Sequence, residues 1–254
     1  MLSRLRVVLP LLWVIGLVAA ALPGCSHQRV VVLGRSVEGR PIVAAEVKAA
    51  SARAAVLVVG CIHGNEPAGI EIAQALRRAG AIPGIDLWVI DDLNPDGVAR
   101  HTRQNADGVD LNRNFPWRWR REGRRGDQQY PGVRVLSEPE ARMAHALILR
   151  LRPRLTVWFH QPLGVTDESG GDVALERRFA ALSGLPLRRL PRYHGSASTW
   201  ENHRLPGSTA FVVELPGATP SRPQLRRYVQ ALRTVAAMTA LTAVSPPPPA
   251  AGSP

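Results

Sequence analysis

The segment at residues 60–67, GCIHGNEP, places a histidine and a glutamate three positions apart, His63 and Glu66. The apolar run before it, residues 54–59, predicts a buried strand, and residues 68–79 predict a helix. The two side chains would therefore lie between the end of a strand and the start of a helix, where ligands gather in open α/β sheets. An imidazole nitrogen and a carboxylate oxygen at this spacing can bind one metal ion from the same side. Because His-x-x-Glu pairs also arise by chance, the hypothesis requires a third ligand elsewhere in the chain.

Two later strands also end in residue types that serve metal-dependent chemistry. Residues 155–159 (LTVWF) are followed by His160, and residues 209–213 (TAFVV) are followed by Glu214. Because ligands gather at the carboxyl ends of strands, we expect these side chains to lie near His63. Catalytic zinc commonly takes three protein ligands and leaves one position open. A buried histidine can also serve core packing alone, but a glutamate that ends an apolar strand is costly to bury for structure alone.

Strands and helices alternate along the chain, which predicts a single α/β domain whose sheet is covered by helices. Residues 30–33 and 42–47 predict a hairpin at a sheet edge. Further strands are predicted at residues 85–90 and near residue 187. Helices are predicted at residues 68–79, 137–151, 172–183 and 221–244, and loops at residues 94–136 and 191–206. The sequence SEPE at residues 137–140 predicts a capping box at the start of the second of these helices.

The first 24 residues have the features of a signal peptide, with arginines at the start and an apolar run over residues 7–22. This run is short for a helix that spans a membrane. It ends in LPGC, which resembles the lipobox of bacterial lipoproteins, where the cysteine, here Cys25, becomes the lipidated first residue. We therefore expect an exported protein of the cell envelope or periplasm, anchored to a membrane through lipid; plain cleavage nearby and an uncleaved anchor are the alternatives. The proline-rich tail, residues 245–254, is expected to be disordered.

The chain of 254 residues carries a formal net charge of +12, and nearly all of its positive charge comes from arginine. Such a charge favours anionic partners, for example membrane headgroups, acidic polymers or acidic substrates. Nucleic acid is not an expected partner, because an exported chain rarely meets it. The segment at residues 117–125, rich in tryptophan and arginine, is either a surface for an anionic polymer or membrane or a solvated insertion. The chain has two cysteines, so lipidation of Cys25 would leave Cys61 without a partner and exclude a disulfide framework. Cys61 ends an apolar strand, which predicts a small buried side chain.

Six motifs follow one another along the chain: HGNE, NPDG, GVDLNRNFP, SEPE, FHQP and VVELP. In this order they resemble the zinc carboxypeptidases of the carboxypeptidase A superfamily. The likeness is greatest to the branch of the murein peptide amidases, which also has a segment similar to LGRSVEGRPI and a Pro-Gly pair, here Pro131 and Gly132. The resemblance runs from about residue 33 to residue 216 and implies a mixed, mostly eight-stranded sheet flanked by helices. Residues 25–244 would then form a zinc carboxypeptidase-like catalytic domain.

The resemblance also implies a ligand set for one Zn²⁺ ion per chain. His63, Glu66 and His160 align with the family's zinc ligands. Two imidazoles and one carboxylate suit zinc and leave a position for water. Glu214 aligns with the family's general base, which takes a proton from water and passes it to the leaving amine.

Four further polar residues align with groups that act on the substrate or on the metal ligands. Arg103 aligns with the arginine that stabilises the negatively charged oxygen of the tetrahedral intermediate. Asn112 and Arg113 align with the pair that holds the substrate's carboxylate, a task that suits the planar guanidinium. Asp110 aligns with the carboxylate that orients the first zinc histidine. Turn and loop hydrogen bonding is the alternative role for these residues, and Tyr193 is the nearest candidate for the family's tyrosine on a mobile loop.

The implied reaction is hydrolysis of the amide between γ-D-glutamate and diaminopimelate in murein peptides, with the carboxylate beside the scissile nitrogen bound by Asn112 and Arg113. A carboxypeptidase that acts on ordinary peptides is one alternative. An amide deacylase like the related aspartoacylases is another, since these share His-x-x-Glu and a distant histidine. The non-enzymatic alternative is a lipoprotein that binds murein peptides without cutting them, which the complete ligand set with Glu214 opposes. Asn65, where the branch often has aspartate, leaves the fine specificity open.

Overall fold

The computed structural model describes residues 27–242. The predicted signal peptide, Cys25 and the tail at residues 245–254 lie outside these residues. The strands are β1 (His27–Arg35), β2 (Pro41–Lys48), β3 (Ala54–Val59), β4 (Ile85–Ile90), β5 (Leu155–His160), β6 (Leu163–Asp167), β7 (Leu187–Arg188) and β8 (Thr209–Pro216). The helices are α1 (Ala68–Arg78), α2 (Pro95–Arg100), α3 (Pro139–Leu151), α4 (Val173–Ser183), α5 (Ala197–Arg204) and α6 (Arg222–Thr242). None of these helices combines the length and the hydropathy needed to cross a membrane.

The strands form one mixed sheet in the order β1-β2-β4-β3-β5-β8-β6-β7. Its central strands, β4, β3, β5 and β8, run parallel. At one edge β1 and β2 pair antiparallel, as the predicted hairpin requires. The prediction of a mixed eight-stranded sheet flanked by helices is therefore confirmed.

Alternate residues of the central strands contribute to two cores on opposite faces of the sheet. In β3, Val58 belongs to the core that includes Phe179 of α4 and residues of α1 and α6. Leu57 belongs to the core that includes Trp158 and Trp200 and residues of α3. This is the two-residue periodicity of a strand, and helices on both faces explain why the central strands are almost continuously apolar.

Two segments predicted as loop contain helices. Residues 95–100 form α2, whose first turn is capped by Asn94, since the Asn94 side chain accepts a hydrogen bond from Gly97 N at 3.0 Å. Residues 197–204 form α5, which the sequence hides because its buried residues include Ser198 and Glu201 and so give no apolar periodicity. No sequence pattern predicted β6, which pairs antiparallel with β8.

The capping box predicted at residues 137–140 is wrong. Glu138 occupies the N-cap position of α3 and makes no side-chain cap. Glu140 is fully buried, and its carboxylate accepts hydrogen bonds from Val37 N at 3.0 Å and from Asn105 Nδ2 at 3.1 Å. The carboxylate therefore joins the turn after β1 to the long segment after α2, a tertiary role that takes the place of the local one.

Candidate active site

The separate parts of the predicted metal site meet at the carboxyl ends of neighbouring strands. His63 and Glu66 follow β3, and His160 is the last residue of β5, which pairs with β3. His63 Nδ1 lies 3.0 Å from Glu66 Oε2 and 3.1 Å from His160 Nδ1, while His160 Nδ1 lies 2.9 Å from Glu66 Oε2. All three side chains are buried. We call these three ligand atoms the metal triangle; within residues 27–242 it is the one group of three or more potential His, Cys, Asp or Glu ligands that converges.

The donor atoms of the metal triangle fit zinc. A tetrahedral zinc ion with bonds of about 2.0–2.1 Å holds its ligand atoms about 3.3 Å apart, close to the observed 2.9–3.1 Å. The Nδ1 atoms of His63 and His160 lie 3.1 Å apart. Their lone pairs would repel each other unless a proton or a cation lay between them. The chemistry and the spacing of this set therefore agree with the zinc ion that the sequence predicts.

Asp110 determines which nitrogen of His63 faces the metal triangle. Asp110 is fully buried, and its Oδ1 lies 2.9 Å from His63 Nε2. A proton on Nε2 that is donated to this carboxylate leaves the Nδ1 lone pair for a metal ion. Arg103 holds the other oxygen of Asp110 with Nε at 3.1 Å and Nη2 at 3.0 Å, and its Nη1 lies 2.8 Å from Glu66 Oε1. Arg103 thus links one ligand to the residue that orients another.

The charges around the metal triangle stabilise one another. Burial alone would raise the pKa of Glu66, but the interactions with His63 and His160 hold this pKa well below its ordinary value. The pKa of Asp110 is also held well below its ordinary value, because His63 and Arg103 outweigh the effect of burial. Burial would lower the pKa of His63, yet Asp110 and Glu66 raise it above 6.5. Both carboxylates are therefore ionised at neutral pH, as metal binding requires.

Close backbone packing explains the glycine within the HGNE motif. A Cβ atom at Gly64 would lie 1.9 Å from the carbonyl carbon of Gly97 in α2, and a backbone atom cannot move aside as a flexible side chain could.

On the other side of the turn, Gln161 N donates to Glu66 Oε2 at 3.2 Å, and Gln161 Oε1 accepts from Ala68 N at 2.9 Å. Gln161 is therefore a positioning residue, and the FHQP motif was the sequence signal that could have identified it.

Glu214 lies beside the metal triangle without belonging to it. It is directly opposite His160 in the register of the parallel strands β5 and β8. Its carboxylate is not among the groups that lie within 4.8 Å of one another. Burial raises the pKa of Glu214, and His160 opposes this effect. A carboxylate of raised pKa beside a metal site is suited to accept a proton and to return it.

A cleft of about 320 Å³ opens over the metal triangle. Its walls contain most of the residues that the sequence analysis assigned to the site: His63, Glu66, Arg103, Asn112, Arg113, His160 and Glu214. Of the remaining candidates, Asp110 contacts His63 without lining the cleft, and Cys25 lies outside the described residues. The structure therefore brings together residues that are spread over more than half of the chain.

Arg113 has the features of an anion-binding group. Only 5% of its surface is exposed, its Nη1 donates to Asn112 O at 2.8 Å, and its guanidinium lies over the ring of Tyr193, 4.2 Å from the centroid. Its buried Nε–H has no hydrogen-bond partner in the part of the chain that the structure describes. Burial lowers the pKa of Arg113, but an arginine stays charged at neutral pH. A carboxylate ligand would satisfy this donor, and Tyr193 fixes the guanidinium from the other side.

Several wall residues were not identified from the sequence. Ser198 and Thr199 lie on α5, which was predicted as loop, and Arg192 precedes Tyr193. The start of α5 is joined to the site because Asn112 Oδ1 accepts from Ala197 N at 2.9 Å. These residues carry no metal-ligand or acid–base pattern of their own, so only the fold brings them to the cleft.

Two further sequence features lie away from the cleft. Cys61 is fully buried, which confirms the prediction of a small buried side chain, and burial raises the pKa of its thiol. In the segment at residues 117–125, Trp117 packs against the core that contains Trp158, while the arginines are exposed. These arginines therefore belong to the exposed surface of the protein.

The site has a counterpart among known protein families. The family model for zinc carboxypeptidases matches residues 19–162, more than half of the chain. The chain belongs to the zinc carboxypeptidase family. The resemblance recognised in the motifs is thereby confirmed. The match includes the three zinc-ligand candidates of this family but ends before Glu214, so the placement of Glu214 depends on the sheet rather than on this match.

Two relatives within the zinc carboxypeptidase family are murein peptide amidases. Murein peptide amidase A of Escherichia coli K12 is 33% identical over 159 residues, which are 58% of this chain and 62% of the relative. Murein peptide amidase A of Vibrio campbellii is 34% identical over 200 residues, which are 72% of this chain and 77% of the relative. The chain thus matches about three fifths of the first relative's length and about three quarters of the second's.

A solved structure supports the same family relationship. The crystal structure of a murein-tripeptide amidase from Escherichia coli O157 superposes with a TM-score of 0.67 at 25% identity. The superposition covers 85% of this chain and 94% of that structure. The two proteins therefore share the mixed sheet and its helices over most of their length.

Proposed function

We propose that this zinc carboxypeptidase family member hydrolyses an amide bond next to a free carboxylate. The observation that carries the proposal is the position of Glu214. This carboxylate faces the same cleft as the metal triangle and stands opposite His160, yet it is not one of the converging ligands. A protein that only bound peptides would need the cleft, but it would gain nothing from a half-buried carboxylate of raised pKa beside a metal site.

Different residues of the cleft have different roles in the proposed reaction. When bound by His63, Glu66 and His160, zinc supplies a Lewis acid that polarises the amide carbonyl and acidifies water. Glu214 takes a proton from the attacking water molecule and passes it to the nitrogen of the leaving amine. Arg103 uses three of its five N–H groups in its contacts with Glu66 and Asp110, so two remain to stabilise the oxygen that becomes negative.

The proposed substrate is a murein peptide, cut between γ-D-glutamate and diaminopimelate. Relatives at 33–34% identity that are murein peptide amidases support this choice. In such a peptide the carboxylate beside the scissile nitrogen would bind Arg113, whose buried Nε–H has no partner among the described residues. Asn112 would assist, because its side chain lies between the start of α5 and His160.

The test is incubation of the purified zinc-loaded protein with the tripeptide L-alanyl-γ-D-glutamyl-meso-diaminopimelate, followed by mass spectrometry of the products. We expect the L-alanyl-D-glutamate dipeptide and free diaminopimelate, and at least about 100-fold slower formation of both by Glu214→Gln prepared in the same way. Faster cleavage of a set of ordinary L-peptides would show a general carboxypeptidase instead. Binding of the tripeptide without any cleavage of either set would refute the assignment as a hydrolase.

The role of Arg113 can be tested separately. Arg113→Ala should weaken substrate binding, since removal of a hydrogen bond to a charged group costs about 1.5–3 kcal/mol. Amidation of the carboxylate beside the scissile nitrogen should then slow the wild type strongly and the variant little. Equal losses in both proteins would show that Arg113 does not hold this carboxylate.

We also propose that the protein is exported and anchored through lipid on Cys25, a proposal supported by the apolar run and LPGC of the leader sequence. Cys25→Ala should leave an unlipidated precursor of full length in the host cell. The wild-type protein should partition into the detergent phase and carry the mass of a lipid. Complete partition of the wild type into water, with no added mass, would overturn the proposal.

A further inference from the structure

The wall of the cleft contains an ion pair that the proposed chemistry does not use. Arg192 and Asp167 both line the cleft, and Arg192 Nη1 lies 2.9 Å from Asp167 Oδ2 and 3.2 Å from Oδ1. The Asp167 side chain is 5% exposed and the Arg192 side chain 23% exposed. The carboxylate is therefore buried, while the guanidinium reaches the surface of the cleft.

Asp167 has no remaining capacity for a ligand. Its Oδ1 also accepts from Leu190 N at 2.8 Å, and its Oδ2 also accepts from Ser169 Oγ at 2.7 Å. Arg192 is held further by the carbonyl of Leu190, 2.9 Å from Nη1, and by the carbonyl of Glu168, which accepts from Nη2. Each carboxylate oxygen thus accepts two hydrogen bonds, its full capacity. Asp167 acts as a positioning residue for Arg192.

Arg192 itself keeps free donors. Its contacts use Nη1 and one N–H of Nη2. Within residues 27–242, the Nε–H and the second N–H of Nη2 make no hydrogen bond. Nε and Nη2 form one edge of the guanidinium, and a carboxylate that accepts from both atoms is bound in bidentate fashion. Arg192 is therefore fixed through one side and offers the other to a ligand.

We propose that Arg192 binds a second carboxylate of the substrate, at the far end of the side chain of the released amino acid. This inference rests on the function proposed above, in which Arg113 binds the carboxylate beside the scissile nitrogen. Tyr193, the next residue after Arg192, lies over Arg113, so both guanidinium groups belong to the same wall of the cleft. The substrate class is thus an amide of a diamino dicarboxylic acid.

The free donors of the ion pair narrow this class. Because Asp167 has no remaining capacity and Arg192 keeps free N–H groups, the pair suits a side chain that ends in a carboxylate. Diaminopimelate has such an end. Lysine differs from it only by the absence of the far carboxylate, and norleucine lacks both charged groups. Three tripeptides that differ only in this last residue therefore separate the effect of the far carboxylate from the effect of the ammonium.

The experiment compares kcat/KM for L-alanyl-γ-D-glutamyl peptides ending in meso-diaminopimelate, L-lysine or L-norleucine. The variants are Arg192→Gln, Arg192→Lys and the control Arg189→Gln, which alters an exposed arginine outside the cleft wall. Arg192→Lys keeps the charge and can still donate to Asp167 and to the carbonyl of Glu168, but it loses the bidentate edge. It therefore tests the inference even if Arg192→Gln does not fold.

We expect the wild type and Arg189→Gln to prefer the diaminopimelate peptide over the lysine peptide by about 10- to 100-fold, the range for one charge-assisted contact. Both Arg192 variants should lose this preference through slower cleavage of the diaminopimelate peptide alone. Equal losses on all three peptides would indicate a purely structural role and overturn the inference. A wild type that cuts all three equally well would also overturn it but leave the proposed hydrolase intact, whereas a wild type that cuts none would refute the proposed function and this inference with it.

Discussion

Asp110 offers the sharpest test of how this site is organised. Its two oxygens accept from four donors: His63 Nε2 at 2.9 Å, Arg103 Nε at 3.1 Å, Arg103 Nη2 at 3.0 Å and Asn112 N at 2.9 Å. Asp110→Asn keeps the size of the side chain but removes its charge and turns one acceptor oxygen into an NH₂ donor. That donor would face either His63 or Arg103, neither of which can accept from it in its present state.

The expected loss follows from these contacts. Replacement of a residue that orients a metal-binding histidine typically lowers metal affinity about 10- to 100-fold, which corresponds to about 1.4–2.7 kcal/mol. We expect the upper end for Asp110→Asn, because Asp110 is fully buried and also anchors Arg103, which contacts the ligand Glu66. Zinc affinity should therefore fall about 100-fold.

Zinc affinity is measured by competition with a chromophoric chelator at pH 7.5, and the control is Asp96→Asn. Asp96 is also fully buried; it accepts a hydrogen bond from Ser36 Oγ at 2.8 Å and forms an ion pair with Arg40 Nη1 at 2.6 Å, and no hydrogen bond joins it to His63. Asp96→Asn should lower the free energy of unfolding while leaving zinc affinity unchanged. If Asp110→Asn binds zinc as tightly as the wild type, or if Asp96→Asn loses zinc equally, the orienting role of Asp110 is refuted.

Three shorter predictions concern catalysis, packing and pH. Glu214→Gln should keep about one zinc per chain but lose at least about 100-fold in turnover; zinc analysis and kinetics on one preparation decide this, and loss of the metal would make Glu214 a ligand. Gly64→Ala should lower the free energy of unfolding by about 1–3 kcal/mol. The control Gly217→Ala should not, because its Cβ would make only an ordinary contact at 3.4 Å. Equal denaturation midpoints for these two variants would contradict the packing argument. Burial raises the pKa of Glu201 from 4.5 to about 7, so the folded state binds this proton more tightly than the unfolded state, and stability falls by about 3 kcal/mol as pH rises through that window. The free energy of unfolding of Glu201→Gln, measured by urea denaturation, should therefore depend less on pH between pH 5 and pH 8 than that of the wild type. An equal pH dependence in the two proteins would contradict this prediction.

The parts of the fold that local sequence determines were predictable. The bounds of β3 and β4 agree with the prediction because each strand is an apolar run that is almost wholly buried. By contrast, α5 buries Ser198, Thr199 and Glu201 together with Trp200, so its sequence has no apolar face to detect. The short strand β6 obtains its conformation from pairing with β8 and β7, and no local pattern reports such pairing.

The same division holds for the site. His63, His160 and Glu214 could be identified because each stands at or just beyond the end of an apolar strand. The hydrogen bonds of Arg103 to both Glu66 and Asp110 could not be predicted, since they depend on how the segment after α2 folds back over the turn before α1. The Arg192–Asp167 pair was missed for the same reason, because its partners lie 25 residues apart on segments with no shared motif.

The order of strands in the sheet explains why Glu214 is suited to be a base rather than a ligand. Strands β3, β5 and β8 are consecutive neighbours, spaced about 4.8 Å apart. His63 and His160 therefore come from adjacent strands, and their Nδ1 atoms approach to 3.1 Å. Glu214 comes from the strand beyond, so it can face His160 in register but is about two strand spacings, roughly 10 Å of backbone, from β3. The parallel pairing of β5 with β8 therefore places Glu214 in the cleft beside the metal triangle, where the proposed reaction needs a proton carrier.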